Sequence, residues 1–376
     1  MAARGVRALQ PYIPGKPIAD LEREYGVKDT IKLASNENPL GPPQPSLEAI
    51  RAVLPDLALY PDGNGFDLKH SLANRLQVSP GQITLGNGSN DVLSIIAETF
   101  LSPGEEAAYS EYAFAIYSLA VQATGATGRM APANRVDLPH PLGHSLKNLR
   151  AQVGDQTRLV FIANPNNPTG TWLSATELHQ FIVSLPPTVI VVVDEAYYEY
   201  MPAVDRPDTL SWLHDLPNLI VCRTFSKIYG LAGLRIGYAV SHPAVAELLN
   251  RVRQPFNVNT LAQVAALAAL NAKDHVLKSQ EMNQRGLLRL RTGLTSLGWS
   301  VPPSAGNFVL ADTGGRAERW YEALLRRGII VRPMSGYGLP HHLRITVGLP
   351  QQIDRLLLVL RELRAHDGPD PEPVQQ

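Results

Sequence analysis

A single cysteine, Cys222, among 376 residues excludes an intrachain disulfide and any zinc site built on several thiolates. Net charge is lacking too, because 34 Lys and Arg offset 34 Asp and Glu. Without a long-range positive field the chain is not built to coat nucleic acid or to adhere to an anionic membrane. No apolar run approaches the roughly 18 residues that a membrane span needs. Met1–Lys16 carries Arg4 and Arg7 but no apolar core of a secretory signal, so a cytoplasmic setting is expected. Metal-ligating patterns are equally scarce. Ten histidines include no HExxH; His341 and His342 are adjacent, and His140 and His144 stand amid Pro139, Pro141 and Gly143. Solvated or structural histidines, and no metal, are expected. There is no internal repeat and no P-loop.

What is present is enough for a large core: 44% of residues are hydrophobic and 18% charged. The first 45 residues hold seven prolines between Pro11 and Pro45, which reads as an extended arm lying on other structure. Short helices are expected over Leu47–Leu54 and Asp67–Leu76, and a longer one over Ser89–Leu101 with Val92, Leu93, Ile96, Ala97 and Phe100 on one face. Apolar runs at 83–85, 159–163, 189–193, 219–222 and 236–240 read as buried strands. Helical patterns at 112–123, 174–184 and 243–252 alternate with them. Alternation of this kind indicates an α/β unit around a mostly parallel sheet. Long helices from about 260 and over 273–297 follow. Strands at 308–311, 329–332 and 343–346, with helices at 316–327 and 351–365, then make a smaller α+β unit. The expected division is 46–272 for the large unit, and 1–45 with 273–376 for the arm and small unit. The Pro-rich tail from Gly368 reads as disordered.

Four segments at expected strand ends carry chemistry. Thr224-Phe225-Ser226-Lys227 follows the strand 219–222, and a desolvated lysine there can form a Schiff base. Taken alone, Lys227 reads as a surface lysine. Eight residues on, Arg235 sits in a Gly-rich stretch from which it and Ser226 can reach one phosphate. Gly86-Asn87-Gly88-Ser89-Asn90-Asp91 links a strand to a helix, where free N–H groups bind anions, although a plain helix cap fits equally well. Asp194-Glu195-Ala196-Tyr197 offers a carboxylate for a ring N–H and a phenol nearby; alone, Asp194 reads as a helix cap. Asn164 to Gly170 holds two X-Pro steps in a rigid turn, from which Asn167 offers an amide. An amine, a carboxylate, an amide and a phosphate cup at the ends of one sheet match the needs of pyridoxal phosphate.

The chain resembles the fold-type I, aspartate-aminotransferase-like pyridoxal-phosphate enzymes, and among them the histidinol-phosphate aminotransferases. The resemblance runs from about Leu9 to Leu363. It rests on Ala34-Ser-Asn-Glu-Asn-Pro39, Gly86 to Asp91, Pro165 to Gly170, Asp194 to Tyr197, Thr224 to Lys227 with Arg235, and Leu343-Arg-Ile-Thr-Val-Gly348. It implies a large domain with a mostly parallel mixed sheet and a smaller α+β domain. Lys227 would hold the cofactor and shuttle the proton. Asp194 would pair with the pyridine nitrogen, Tyr197 and Asn167 would bond the phenolic oxygen, and Tyr112 would stack on the ring. Gly88, Ser89, Asn90, Thr224, Ser226 and Arg235 would surround the phosphate. Tyr60 would reach the phosphate of a neighbouring subunit, making a homodimer with shared sites. Arg344 would grip a carboxylate, with Asn36 and Asn38 closing over it, and Tyr12, Tyr60 and Arg332 would line the variable end.

The implied reaction is transamination between histidinol phosphate, the amino donor, and 2-oxoglutarate, the oxo-acid acceptor, in histidine biosynthesis. An aromatic amino-acid aminotransferase is the runner-up, since imidazole and phenyl rings need similar pockets. A decarboxylase of a phosphorylated amino acid shares most of these motifs. A ligand-sensing transcription regulator would need a DNA-binding module, and residues 1–45 hold neither a helix-turn-helix pattern nor a basic surface.

Overall fold

The computed structural model describes residues 2–3, 5–138 and 140–365; the Pro-rich tail read as disordered lies outside the described residues. The arm is less extended than its prolines suggest. It forms helix α1 (Ile18–Tyr25), closed by Gly26 at φ 65°, and strand β1 (Ile31–Lys32). Helices α2 (Gln44–Val53) and α3 (Phe66–Leu76) follow. Ser46 donates its hydroxyl to the Ala265 carbonyl at 2.8 Å, which pins the start of α2 to a later helix.

The central part alternates strands and helices: β2 (Ile83–Gly86), α4 (Ser89–Phe100), β3 (Glu106–Ser110), α5 (Ile116–Thr124), β4 (Thr127–Ala131), α6 (Leu146–Ala151), β5 (Thr157–Ala163), α7 (Ala175–Val183), β6 (Ile190–Asp194), β7 (Leu219–Thr224) and β8 (Gly237–Ser241). They form one seven-stranded sheet in the order β2-β8-β7-β6-β5-β3-β4, parallel except for β8, which runs antiparallel to both neighbours. Helices α8 (Pro243–Val252), α9 (Thr260–Leu270) and α10 (Lys273–Ser296) come next. Then come β9 (Phe308–Asp312), α11 (Ala317–Leu325), β10 (Ile329–Ile330), β11 (Arg332–Pro333), β12 (His342–Thr346) and α12 (Pro350–Ala365). Strands β11, β12 and β9 make an antiparallel sheet, while β10 pairs in parallel with β1 of the arm.

Both faces of the large sheet are buried along β2, β8, β7, β6 and β5, so these strands read as apolar runs. Val191 and Val193 of β6 join Val221 of β7 in one apolar cluster; Val192 joins Ile220, Cys222 and Phe161 in the opposite one. A third cluster, with Leu343, Ile345 and Leu356, packs the small sheet against its helices.

Two sequence expectations are corrected, and two strands were missed. The strand expected over 329–332 is two short strands, because Val331 is buried at a bend where the chain leaves β1 and joins β12. The helix expected from 112 starts at Ile116: Asn166 Nδ2 donates to the Tyr112 carbonyl at 2.7 Å and holds a turn there. Strands β3 and β4 escaped the sequence reading, since Glu106 in β3 and Thr127, Gly128 and Arg129 in the edge strand β4 interrupt the apolar pattern.

Candidate active site

One cavity opens at the C-terminal ends of β5, β6 and β7, where parallel sheets place their ligand sites. Lys227, Asp194, Tyr197, Asn167, Ser89, Asn90, Thr224, Ser226, Arg235, Asn36, Arg344, Arg332 and Tyr12 all line it. These residues lie up to 332 positions apart in the chain, so only the fold assembles them.

Lys227 lies three residues beyond β7. Its Nζ donates to the Ser35 carbonyl of the arm at 3.2 Å and stands 5.6 Å from the Tyr197 ring centroid. Burial lowers its pKa to about 7, with help from the Arg344 and Arg235 charges and against the opposing pull of Glu37 and Asp194. The amine is therefore substantially neutral, hence nucleophilic, near pH 7. Asp194 ends β6 and is buried. Its Oδ1 accepts from the Ala196 N–H at 3.1 Å, and its Oδ2 accepts from the Tyr117 hydroxyl at 2.8 Å. Burial raises its pKa, and these two donors and Lys227 oppose the rise. Alternation sends the next carboxylate the other way: Glu195 pairs with Arg223 at 2.8 Å and accepts from Thr209 at 2.6 Å.

Tyr197 is held from two sides. Asn36 Nδ2 donates to its hydroxyl at 2.8 Å, and Phe308 packs edge-on at 5.3 Å. Burial pushes its phenol up to about 12, so it stays a neutral hydrogen-bond donor. Asn167 Oδ1 accepts from Arg344 Nη1 at 2.6 Å, while Arg344 Nη2 donates to the Ala34 carbonyl at 2.7 Å. Arg344 Nε is buried without a partner among the described residues. Arg332 lies directly opposite Arg344 on the neighbouring strand. It donates to the Ile13 carbonyl at 2.5 Å, and its guanidinium lies 5.6 Å from the Tyr12 ring.

At the other end of the cavity, Ser89 and Asn90 open α4, whose first N–H groups have no partner within the helix. Gly88, just outside the cavity, has φ 86°, and a Cβ there would collide with the Arg235 guanidinium. Arg235 Nη1 donates to Ser226 Oγ at 3.4 Å and to the Ala232 carbonyl at 3.2 Å. Thr224 already donates to the Ile236 carbonyl at 3.3 Å and accepts from the Ser226 N–H at 3.1 Å, which leaves it little capacity for a ligand. Two serines, an arginine and a helix N-terminus make a donor set suited to a phosphate dianion.

Three sequence expectations fare differently. Tyr112 does not line the cavity: it packs against Leu310, Met334 and Leu339, and the turn before α5 brings Phe114 to the cavity instead. Asn38 does not line it either. Its Nδ2 donates to the Ile228 carbonyl at 2.8 Å and to Ser279 Oγ at 2.9 Å, and its Oδ1 takes the Leu40 N–H, so its polar atoms serve to dock the arm. Tyr60 lies outside this chain's cavity, 83% exposed and stacked on Phe256 at 4.9 Å. Sequence reasoning missed Phe114, Ser35 and Tyr117. The first stood two residues from the tyrosine that was chosen, the second acts through its carbonyl, and the third carried no motif.

The family model "Aminotransferase class I and II" matches residues 28–360. The chain belongs to this family. Among its relatives, Histidinol-phosphate aminotransferase 1 of Nitrosococcus oceani is 53% identical over 360 residues, covering 96% of each chain. Histidinol-phosphate aminotransferase 2 of Pseudomonas aeruginosa is 52% identical over 369 residues, 98% of each. Among solved structures, the histidinol-phosphate aminotransferase of Sinorhizobium meliloti in complex with pyridoxal-5'-phosphate superposes with a TM-score of 0.87, 31% identity and 98% coverage of both chains. The family's fold is the one described above: a mostly parallel mixed sheet with helices on both faces, and a smaller α+β part.

Proposed function

We propose that this chain is a pyridoxal-phosphate-dependent transaminase. It moves an amino group between histidinol phosphate and 2-oxoglutarate, forming imidazole-acetol phosphate and glutamate, a step of histidine biosynthesis. The observation that carries the reading is Lys227: a half-buried amine with its pKa lowered to about 7, sharing one cavity with a buried carboxylate and a phosphate-type donor set. The relatives named above support the choice of substrate.

The residues present fit the cofactor. Ser89, Ser226 and Arg235, with Gly88 keeping the approach clear, would hold the phosphate, and Asn90 and Thr224 flank them. Asp194 would face the ring nitrogen, and Tyr197 and Asn167 the phenolic oxygen. Phe114 would take the ring face in place of Tyr112. Bound there, pyridoxal phosphate supplies an electron sink for charge that develops at the substrate carbon. Lys227 would hold the cofactor through its neutral amine, and its Nζ would accept the proton from the substrate carbon and later return one. Arg344 offers its unpartnered Nε edge to a substrate anion, a carboxylate or a phosphate. Arg332 stands opposite it on the next strand, a like-charge pairing that disfavours an empty sheet and is relieved by an anion between the two. Asn36 couples this end to the Tyr197 phenol, and Tyr12 walls the variable end.

Two further parts of the proposal rest on surface and layering. Leu57, Leu59, Tyr60, Phe66 and Phe256 are exposed. The Tyr60–Phe256 pair adjoins the cup, since Asn257 Nδ2 donates to Asp91 of α4 at 2.8 Å. Such a patch suits a second copy of the chain, with Tyr60 offered to the partner's cup. Light scattering on the eluted protein tests this, with twice the mass of one chain expected. The apolar clusters support the division into 46–272 and the remainder, with Phe308 and Val276 joining the large unit's core across the boundary.

The function is tested by incubating protein loaded with pyridoxal phosphate with histidinol phosphate and 2-oxoglutarate. Glutamate should form, and borohydride reduction of the resting protein should leave the cofactor on the peptide containing Lys227. No glutamate, or a label on another lysine, would overturn the proposal.

A further inference from the structure

Strand alternation decides what surrounds Asp194. Val192 and Asp194 lie on one face of β6, level with Cys222 of β7 and Ala163 of β5. That face is an apolar layer of Val192, Ile220, Cys222, Phe161 and Ala163. A carboxylate at the end of such a layer is 4% exposed and has little access to water for its charge. Two donors make up the deficit. One is the Ala196 N–H, fixed by the backbone two residues on. The other is the Tyr117 hydroxyl, brought from α5, 77 residues away in sequence, at 2.8 Å.

Tyr117 is built for this contact. Its ring is fully buried and stacks on Phe161 at 4.9 Å with 9° between the planes. Phe114, which lines the cavity, meets it edge-on at 6.0 Å. The hydroxyl makes one hydrogen bond among the described residues, the one to Asp194. Burial and the adjacent carboxylate hold the phenol well above its ordinary pKa, so it remains a donor at any working pH.

We propose that Tyr117 is a positioning residue: its hydroxyl fixes the rotation of the Asp194 carboxylate and keeps it ionised for the pyridine nitrogen of the cofactor. The inference rests on the cofactor reading given above. Without the hydroxyl, Oδ2 loses its donor and the carboxylate binds a proton more readily. It then competes with the ring nitrogen for the proton that they share.

The test is Tyr117→Phe, which keeps the stacked ring and removes one oxygen, combined with Asp194→Asn in a double-mutant cycle. The readouts are the Kd of apoprotein for pyridoxal phosphate and the pH midpoint of the bound cofactor's visible absorbance. Losing a hydrogen bond to a charged group should weaken cofactor binding roughly 10-fold or more. The absorbance midpoint should move to higher pH. In the Asp194→Asn background, removing the hydroxyl should change neither quantity further. Equal losses in both backgrounds, or an unchanged Kd and midpoint in Tyr117→Phe, would overturn the positioning role. A wild-type protein that binds no pyridoxal phosphate would instead overturn the cofactor reading, and the Tyr117 proposal with it.

Discussion

Arg344 of the three-stranded sheet donates to Asn167, in the turn after β5 of the seven-stranded sheet, at 2.6 Å. The same guanidinium donates to Ala34 of the arm at 2.7 Å. One side chain therefore ties the three parts of the molecule together at the cavity wall. It also adds to the depression of the Lys227 pKa, second only to burial. The substrate grip proposed for Arg344 and the lowered Lys227 pKa are thus linked through one residue.

Arg344→Ala should lower kcat/KM by roughly 100-fold, the loss of a charge-assisted contact of about 3 kcal/mol. It should also move the Lys227 titration to higher pH, because a repelling cation is gone. Steady-state kinetics and a pH–rate profile on one preparation check both. A loss of rate with an unmoved profile would separate the two roles.

The Lys227 pKa predicts the pH dependence of the apoprotein. Below about 7 the lysine is charged in the folded and the unfolded chain, and its burial costs stability in full. Between about 7 and 10.5 the folded form is neutral while the unfolded form still binds the proton, so the cost falls as pH rises. Lys227→Met should therefore stabilise the apoprotein more at pH 6 than at pH 9, as read by urea denaturation. Catalysis in the same variant should fall at least about 1,000-fold, with no covalent cofactor.

Arg235→Ala should weaken pyridoxal phosphate binding roughly 10- to 100-fold, the range for a hydrogen-bonded charge, with a small change in apoprotein Tm. Equilibrium titration checks the first and a thermal scan the second. A large drop in apoprotein Tm with unchanged cofactor affinity would mean that the guanidinium serves the turn at Ala232 instead.

Asn38 carries the opposite prediction. Its amide is spent on Ile228, Ser279 and Leu40, so Asn38→Ala should destabilise the apoprotein by about 1–3 kcal/mol. Denaturant midpoints check this. A large rise in KM without loss of stability would restore a substrate-contacting role.

The sequence made the strand ends legible because β5, β6 and β7 are buried on both faces and read as continuous apolar runs. Each ends at or shortly before a polar residue that packs elsewhere with difficulty: Asn167, Asp194 and Lys227. Strand β3 and the edge strand β4 were not legible: β3 opens on Glu106 and holds only small or polar residues beside Tyr109, and four of the five residues of β4 are exposed. The site's first contacts came through by residue type, but direction did not. Tyr112 and Phe114 are both aromatic and two positions apart, and only the turn held by Asn166 decides which one reaches the cavity. Asn36 and Asn38 likewise share a short segment, yet one meets Tyr197 and the other Ser279. Tyr117 sits in an ordinary apolar helix pattern, and nothing local shows that its hydroxyl meets a carboxylate from β6.

The most direct test of the account compares donors on protein loaded with pyridoxal phosphate, with 2-oxoglutarate as acceptor. Histidinol phosphate, phenylalanine and tyrosine are assayed with wild type and with Arg332→Ala. The account predicts a kcat/KM for histidinol phosphate far above those for the aromatic donors, and a preference that shrinks in Arg332→Ala through a raised KM. Equal or better rates with phenylalanine or tyrosine, unchanged by the substitution, would contradict it.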